Sequence, residues 1–148
     1  MPLTIAGKPV GPIGLGMMSF SYPHKPTSDP DAIRILKATL DAGCNFWDAG
    51  LFYGTPERNS LHILHAYFSK YPEDAERVVV SVKGCLDVRT KKLCNDRAGV
   101  RESIEQALEI LDGKCRIDIF QPCRVDPDVA IEETVGACLL YTSPSPRD

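Results

Sequence analysis

The stretch Asp48-Ala49-Gly50-Leu51-Phe52-Tyr53-Gly54 follows directly on the apolar run Asn45-Phe46-Trp47 and sets a carboxylate and a phenol five positions apart. Downstream, Val78-Val79-Val80-Ser81-Val82 is a nearly continuous β-branched run, the pattern of a strand buried on both faces, and it ends on Lys83. An ammonium at the end of a buried strand needs a partner. Asp48 and Tyr53 supply a carboxylate and an acidifiable hydroxyl. Three ionisable groups at the exits of two successive strands therefore point to one proton-transfer site.

Outward from this stretch, strand and helix signals alternate. Leu3-Thr4-Ile5 and Pro9-Val10 read as a short hairpin with Gly7 in its turn. Val10 to Gly16, apolar and glycine-rich, is the first strand, ending near Met17 and Met18. Ser28 or Asp29 caps a helix with Pro30 in its first turn, Ile33, Leu36 and Leu40 form its buried stripe, and Gly43 stops it. The second strand runs Asn45 to Asp48, and Thr55-Pro56-Glu57 opens a second helix with Leu61, Leu64 and Phe68 on one face, ended by Pro72. The third strand, Val78 to Val82, leads through a long loop, Gly84 to Asn95, into a helix marked by Val100, Ile104, Ala107, Leu108 and Leu111 and terminated by Gly113. A fourth strand, Ile117 to Gln121, precedes a fourth helix, Val129 to Ala137. Four such alternations are the pattern of an α/β fold with a parallel sheet and crossover helices.

From Cys138 the chain reads Cys-Leu-Leu-Tyr-Thr-Ser-Pro-Ser-Pro-Arg-Asp. Alternating Ser-Pro cannot continue an amphipathic helix, and the segment can be encoded by a transposase sequencing adapter read in frame. The expected division is therefore a folded unit over residues 1–137 and a foreign tail over residues 138–148.

A net charge of −3 without basic runs gives no reason to expect nucleic acid or an anionic membrane as partner. No charged-then-apolar leader and no apolar stretch of about 20 residues is present, so the expected location is the cytoplasm. The six cysteines (44, 85, 94, 115, 123 and 138) sit singly, without Cys-x-x-Cys spacing, and read as reduced thiols. His62 and His65 are three apart on one helix, which supplies no third metal ligand, so a solvated face is expected and no metal. His24 reads as a loop residue without a role. Nothing in the pattern sets an oligomeric state.

The motifs Trp47-Asp48-Ala49-Gly50, Phe52-Tyr53-Gly54, Ser81-Val82-Lys83-Gly84 and Asp118-Ile119-Phe120-Gln121, followed by Arg124-Val125-Asp126, make the chain resemble the aldo-keto reductases. Within that family the likeness is to the fungal-type pyridoxal reductase branch, and it runs from about Val10 to Ala137. The resemblance implies the N-terminal half of a (β/α)8 TIM barrel with an N-terminal β-hairpin at its floor. A complete barrel takes about 250 residues. It also implies NADPH-dependent reduction of a pyridoxal-like aldehyde to an alcohol, with Tyr53, Asp48 and Lys83 as catalytic residues. In the family an active-site His stands where this chain has Cys123, in Gln121-Pro122-Cys123-Arg124-Val125-Asp126-Pro127. Gly16, Met17, Met18 and Asp48 are the implied cofactor contacts. Most contacts to the cofactor's phosphates and adenine come from later strands in the family, so the chain as written is expected to be inactive.

A free phenol, with a pKa of about 10, is a poor acid at neutral pH, and a neighbouring ammonium favours its phenolate. Lys83 has that implied role, Asp48 would orient Lys83, and Tyr53 would protonate a carbonyl oxygen. Read without the resemblance, Asp48 and Lys83 are an ion pair joining two strands and Tyr53 is rim packing. Cys123 reads as a small buried hydrophobe or a reactive thiol. A general aldehyde or ketone reductase, or a non-catalytic cofactor-sensing regulatory subunit of the same fold, are the alternative functions. Arg89, Lys91 and Lys92 could attract an anionic substrate or simply occupy a solvated loop.

Overall fold

The computed structural model describes residues 3–142. A hairpin opens the described chain: β1 (Thr4–Ile5) and β2 (Lys8–Pro9) pair antiparallel around Ala6 and Gly7, at φ 50° and 78°. Two successive positive φ values make the tight turn whose twist suits a hairpin. Lys8 then pins the hairpin to the sheet. Its Nζ donates to Val78 O at 2.8 Å and to Asp118 Oδ2 at 3.1 Å. The fully buried Asp118 carboxylate also accepts the Val80 N–H at 2.9 Å and pairs with Arg116 at 2.8 Å. The hairpin thereby closes the end at which the strands enter.

The main sheet has four parallel strands in the order β3 (Gly14–Gly16), β4 (Phe46–Gly50), β7 (Val79–Gly84) and β8 (Ile119–Pro122). Its register aligns Gly16, Asp48, Ser81 and Ile119 in one row, and Gly50, Lys83 and Gln121 in the next. Side chains alternate across a strand, so Asp48, Ser81, Lys83 and Gln121 share one face while Trp47, Val80, Val82 and Phe120 turn to the helices. Trp47 is fully buried there, with ring centroids 5.0 Å from Tyr67 and 5.9 Å from Phe68.

Each strand is followed by a helix. Ser28 caps α1 (Asp29–Asp41), its side chain accepting the Asp31 N–H, and Ala32, Leu36 and Leu40 are buried. Gly43, at φ 84°, donates to Leu40 O as the helix unwinds. Asp96 caps α3 (Arg97–Leu111) through the Gly99 N–H at 2.7 Å, and Asp112 and Gly113 leave it with positive φ.

Several boundaries move from their sequence expectation. The second helix, α2 (Ser60–Lys70), does not open at Thr55-Pro56-Glu57. That segment forms a tight antiparallel pair, β5 (Gly54–Thr55) with β6 (Arg58–Asn59). Asn59 is the cap: its Oδ1 accepts the Leu61 N–H at 2.9 Å while His62 Nδ1 accepts the Asn59 N–H at 3.2 Å. Thr-Pro-Glu carries helix-start residues, but Arg58 and Asn59 pair back on Gly54 and Thr55 before the apolar stripe begins. The first strand is shorter than Val10 to Gly16, because Gly11 donates to the Asn45 side chain outside the ladder. The fourth strand is Ile119–Pro122, shorter at its start than Ile117 to Gln121, although Asp118 already donates its N–H to Val80 O at 2.9 Å while its side chain holds Lys8 and Arg116. The last helix, α4 (Ile131–Thr142), starts after a turn in which Val129 N–H meets Asp126 O, and it passes through the expected boundary at residue 137. The Ser-Pro residues 143–148 lie outside the described residues. No helix among the described residues is long and apolar enough to cross a membrane.

Candidate active site

Asp48 sits near the exit of β4, where its backbone carbonyl accepts the Met17 N–H at 2.9 Å and so ties the end of β3 to the site. The chain then bends: Leu51 N–H donates to Lys83 O at 3.0 Å and Tyr53 N–H to Gly50 O at 3.1 Å. The Tyr53 carbonyl accepts both the Ser60 N–H at 3.0 Å and the Ser21 hydroxyl. Gly50 is the floor under the ring. A Cβ there would stand 3.3 Å from Tyr53 Cγ and Cδ2. The small residue in the Asp-Ala-Gly motif thus sets how closely the phenol can lie against the sheet.

Lys83, at the end of β7, forms an ion pair with Asp48 Oδ2. Its Nζ lies 5.8 Å from the centroid of the Tyr53 ring, within the range of a cation–π contact. The other carboxylate oxygen, Asp48 Oδ1, accepts from Ser81 Oγ at 3.3 Å and Gln121 Nε2 at 3.4 Å, and Gln121 Nε2 also donates to Ser81 Oγ at 2.9 Å. The Asp48 and Lys83 side chains are 26% and 22% exposed, enough to meet a ligand and too little to be freely hydrated. Barrel interiors are ordinarily filled by branched apolar residues. Four hydrogen-bonded polar groups in two adjacent rows mark a site.

Sequence reasoning brought Asp48, Tyr53 and Lys83 together, and the structure does the same. It missed Ser81 and Gln121, which complete the carboxylate's partners, and Ser21, Gly50 and Ser60, which seat Tyr53. The signal for Gln121 was available: it is polar at an inward position two residues before Cys123. Cys123 itself is half-buried beyond the end of β8, with its N–H on Gly84 O at 3.0 Å. Burial pushes its thiol up from the ordinary cysteine value, against the smaller opposing effect of Arg124, so the neutral form holds at neutral pH.

Of the glycine-rich first strand, Gly16 lies beside Asp48 in register, and a Cβ added to it would meet nothing within 4 Å. Met17 is different: its side chain is fully buried in the core, and its backbone N–H and carbonyl are engaged by Asp48 and Phe20. Met18 is half exposed and lines a pocket of about 260 Å³ with Tyr22, His24, Phe52, Tyr53 and Lys91. His24, a plain loop residue by sequence, thus faces the candidate site. His62 caps α2, His65 lies 4.0 Å from Asp112, and no group of metal-binding side chains forms among the described residues.

Comparison with known proteins gives the family and the fold. The Aldo/keto reductase family model matches residues 12–140. Over 131 residues the chain is 43% identical to an uncharacterized oxidoreductase of Schizosaccharomyces pombe, covering 88% of this chain and 39% of that protein. Over 142 residues it is 42% identical to the "Probable pyridoxal reductase 2" of the same yeast, covering 95% of this chain and 42% of that protein. The chain therefore spans about two fifths of these relatives' length. Its fold matches the aldo-keto reductase AKR11C1 of Bacillus halodurans in its holo form, with a TM-score of 0.71 and 22% identity over 93% of this chain and 44% of the other.

Proposed function

From the membership of this chain in the aldo/keto reductase family, whose (β/α)8 barrel it represents by its first four β/α units, we propose that it supplies the proton-transfer half of a cytoplasmic, NADPH-dependent reductase of pyridoxal-like aldehydes. The observation that carries the reading is the Lys83 ammonium held between the Asp48 carboxylate and the Tyr53 ring. The pyridoxal-like substrate rests on the likeness to a relative named as a pyridoxal reductase.

The residues present fit a flat ring at the inner face. Gly16 leaves open space beside Asp48, and Met18 is half exposed at the same end of the sheet. Gly16, Met18 and Asp48 would hold the nicotinamide end, while Met17 supports them from the core. When bound, NADPH supplies a hydride. Tyr53 delivers the proton to the carbonyl oxygen of the aldehyde, in the position of a general acid. Lys83 stabilises the phenolate left behind, and Asp48 fixes Lys83 at that distance. Cys123 donates weakly at best, so orientation of the carbonyl falls to Tyr53 and the pocket walls. The remaining cofactor contacts belong to the rest of the barrel, and residues 1–148 alone are inactive under this reading.

The test is oxidation of NADPH and NADH by the full-length protein with pyridoxal as acceptor. NADPH oxidation that depends on pyridoxal supports the proposal. Preference for NADH, or no turnover of any aldehyde, refutes it.

A further inference from the structure

The loop from Gly84 to Asn95 carries Arg89, Lys91 and Lys92, which the chemistry of Asp48, Tyr53 and Lys83 does not use. The loop is a built turn. Leu86 and Leu93 bridge antiparallel across it, and Asp87 N–H donates to Lys92 O at 3.0 Å. Asp87 Oδ1 accepts the N–H groups of Arg89 at 2.7 Å and Thr90 at 3.1 Å, and Lys91 N–H donates to Asp87 O at 2.9 Å.

Within this turn Lys91 has φ 60°, a conformation that glycine or asparagine adopts at lower cost. A side-chain-bearing residue held there is a pointer to function. Lys91 lines the same pocket as Tyr53, together with Met18, Tyr22, His24 and Phe52. The walls are aromatic: Phe52 meets Tyr53 edge-on at 4.9 Å, and Tyr22 lies 5.7 Å from His24. No acidic residue lines this pocket among the described residues. Aromatic walls accept a planar body, and a cationic residue in a lining that holds no carboxylate accepts an anion.

We propose that Lys91 is a specificity-determining residue that selects, for reduction at Tyr53, planar aldehydes carrying an anionic substituent such as a carboxylate or phosphate. The inference rests on the reductase reading and names its substrate class.

The experiment measures kcat/KM of the full-length protein for 4-carboxybenzaldehyde and for benzaldehyde, and takes the ratio. The ratio favours the anionic aldehyde in the wild type and shrinks as salt is added. Lys91→Met lowers it by roughly threefold to fivefold, the range of one exposed charge pair. Lys91→Gly, which relieves the backbone while keeping the turn, lowers it equally and so excludes collapse of the loop as the cause. Lys92→Met makes the same change of net charge one residue outside the pocket lining and leaves the ratio within about twofold. An unchanged ratio in Lys91→Met, or an equal fall in Lys92→Met, overturns the proposal while leaving the reductase reading intact. Reduction of neither aldehyde overturns the inference alone, because the reductase reading is decided separately by NADPH oxidation with pyridoxal.

Discussion

Replacing Gln121 by Glu tests whether the second oxygen of Asp48 must be held by a donor. In the wild type the Gln121 amide bridges Ser81 Oγ at 2.9 Å and Asp48 Oδ1 at 3.4 Å. A protonated carboxyl at this position can still donate. Once ionised it faces a second carboxylate at nearly the same 3.4 Å separation, a repulsion of about 5 kcal/mol at an effective dielectric of about 20. Lys83, its neighbour in register, offsets part of this by leaving Asp48 for the new carboxylate. The net effect carries the introduced group from a usual value of about 4.3 to about 6–7. Gln121→Glu in the full-length enzyme should therefore reduce aldehyde at close to the wild-type rate in acid and lose activity as the pH rises through that range, as the ammonium is drawn from the Tyr53 ring. Gln121→Leu should lose roughly tenfold in kcat/KM at every pH, the size of one hydrogen bond to a charged group. The assay is kcat/KM against pH from about 5 to 9, a span set by those titration values. A Gln121→Glu profile superimposable on the wild type refutes the reasoning, because it would show that nothing at this position acts through Asp48.

Two stability predictions follow from the buried charges. Asp74 is fully buried; burial alone would raise its pKa, yet hydrogen bonds from Lys37, Tyr67 and Arg77 outweigh it and hold the carboxyl below 3.8. Its contribution is thus fully present above the unfolded carboxyl value and is lost as the pH falls through the lower folded value, so the Tm gap between wild type and Asp74→Asn should be constant from pH 7 to about 5 and close below about 4. A gap that persists in strong acid contradicts the assignment. Lys8→Met strips one partner from the buried Asp118 but leaves Arg116 and the Val80 N–H. Urea unfolding should show a loss of about 1–3 kcal/mol, less than for a charge stranded alone.

The parallel sheet and its helices were legible because local signals agree with the tertiary outcome. Ser28, Pro30 and the Leu36/Leu40 stripe specify α1 without help from elsewhere, and the valine run of β7 is buried on both faces as its composition requires. The 54–59 hairpin was not legible, since Thr55-Pro56-Glu57 is a good helix start in isolation and the cap is decided by Asn59 pairing with His62. The site divides in the same way. Asp48, Tyr53 and Lys83 announce themselves as ionisable groups at strand exits, whereas Gln121 reaches Asp48 across 73 positions of sequence and only the strand register brings them together. The pocket at Tyr53 draws on residues before α1, after β4 and after β7, and no local pattern encodes that convergence.

The central claim is that Tyr53 is the proton donor, with Lys83 and Asp48 acting through it. Tyr53→Phe keeps the ring against Gly50 and beneath the Lys83 ammonium while removing the transferable proton. In the full-length enzyme the measurement is kcat for pyridoxal reduction alongside the Kd for NADPH. The account predicts a fall in kcat of about 10²- to 10⁴-fold with Kd nearly unchanged. Near wild-type turnover in Tyr53→Phe would contradict it.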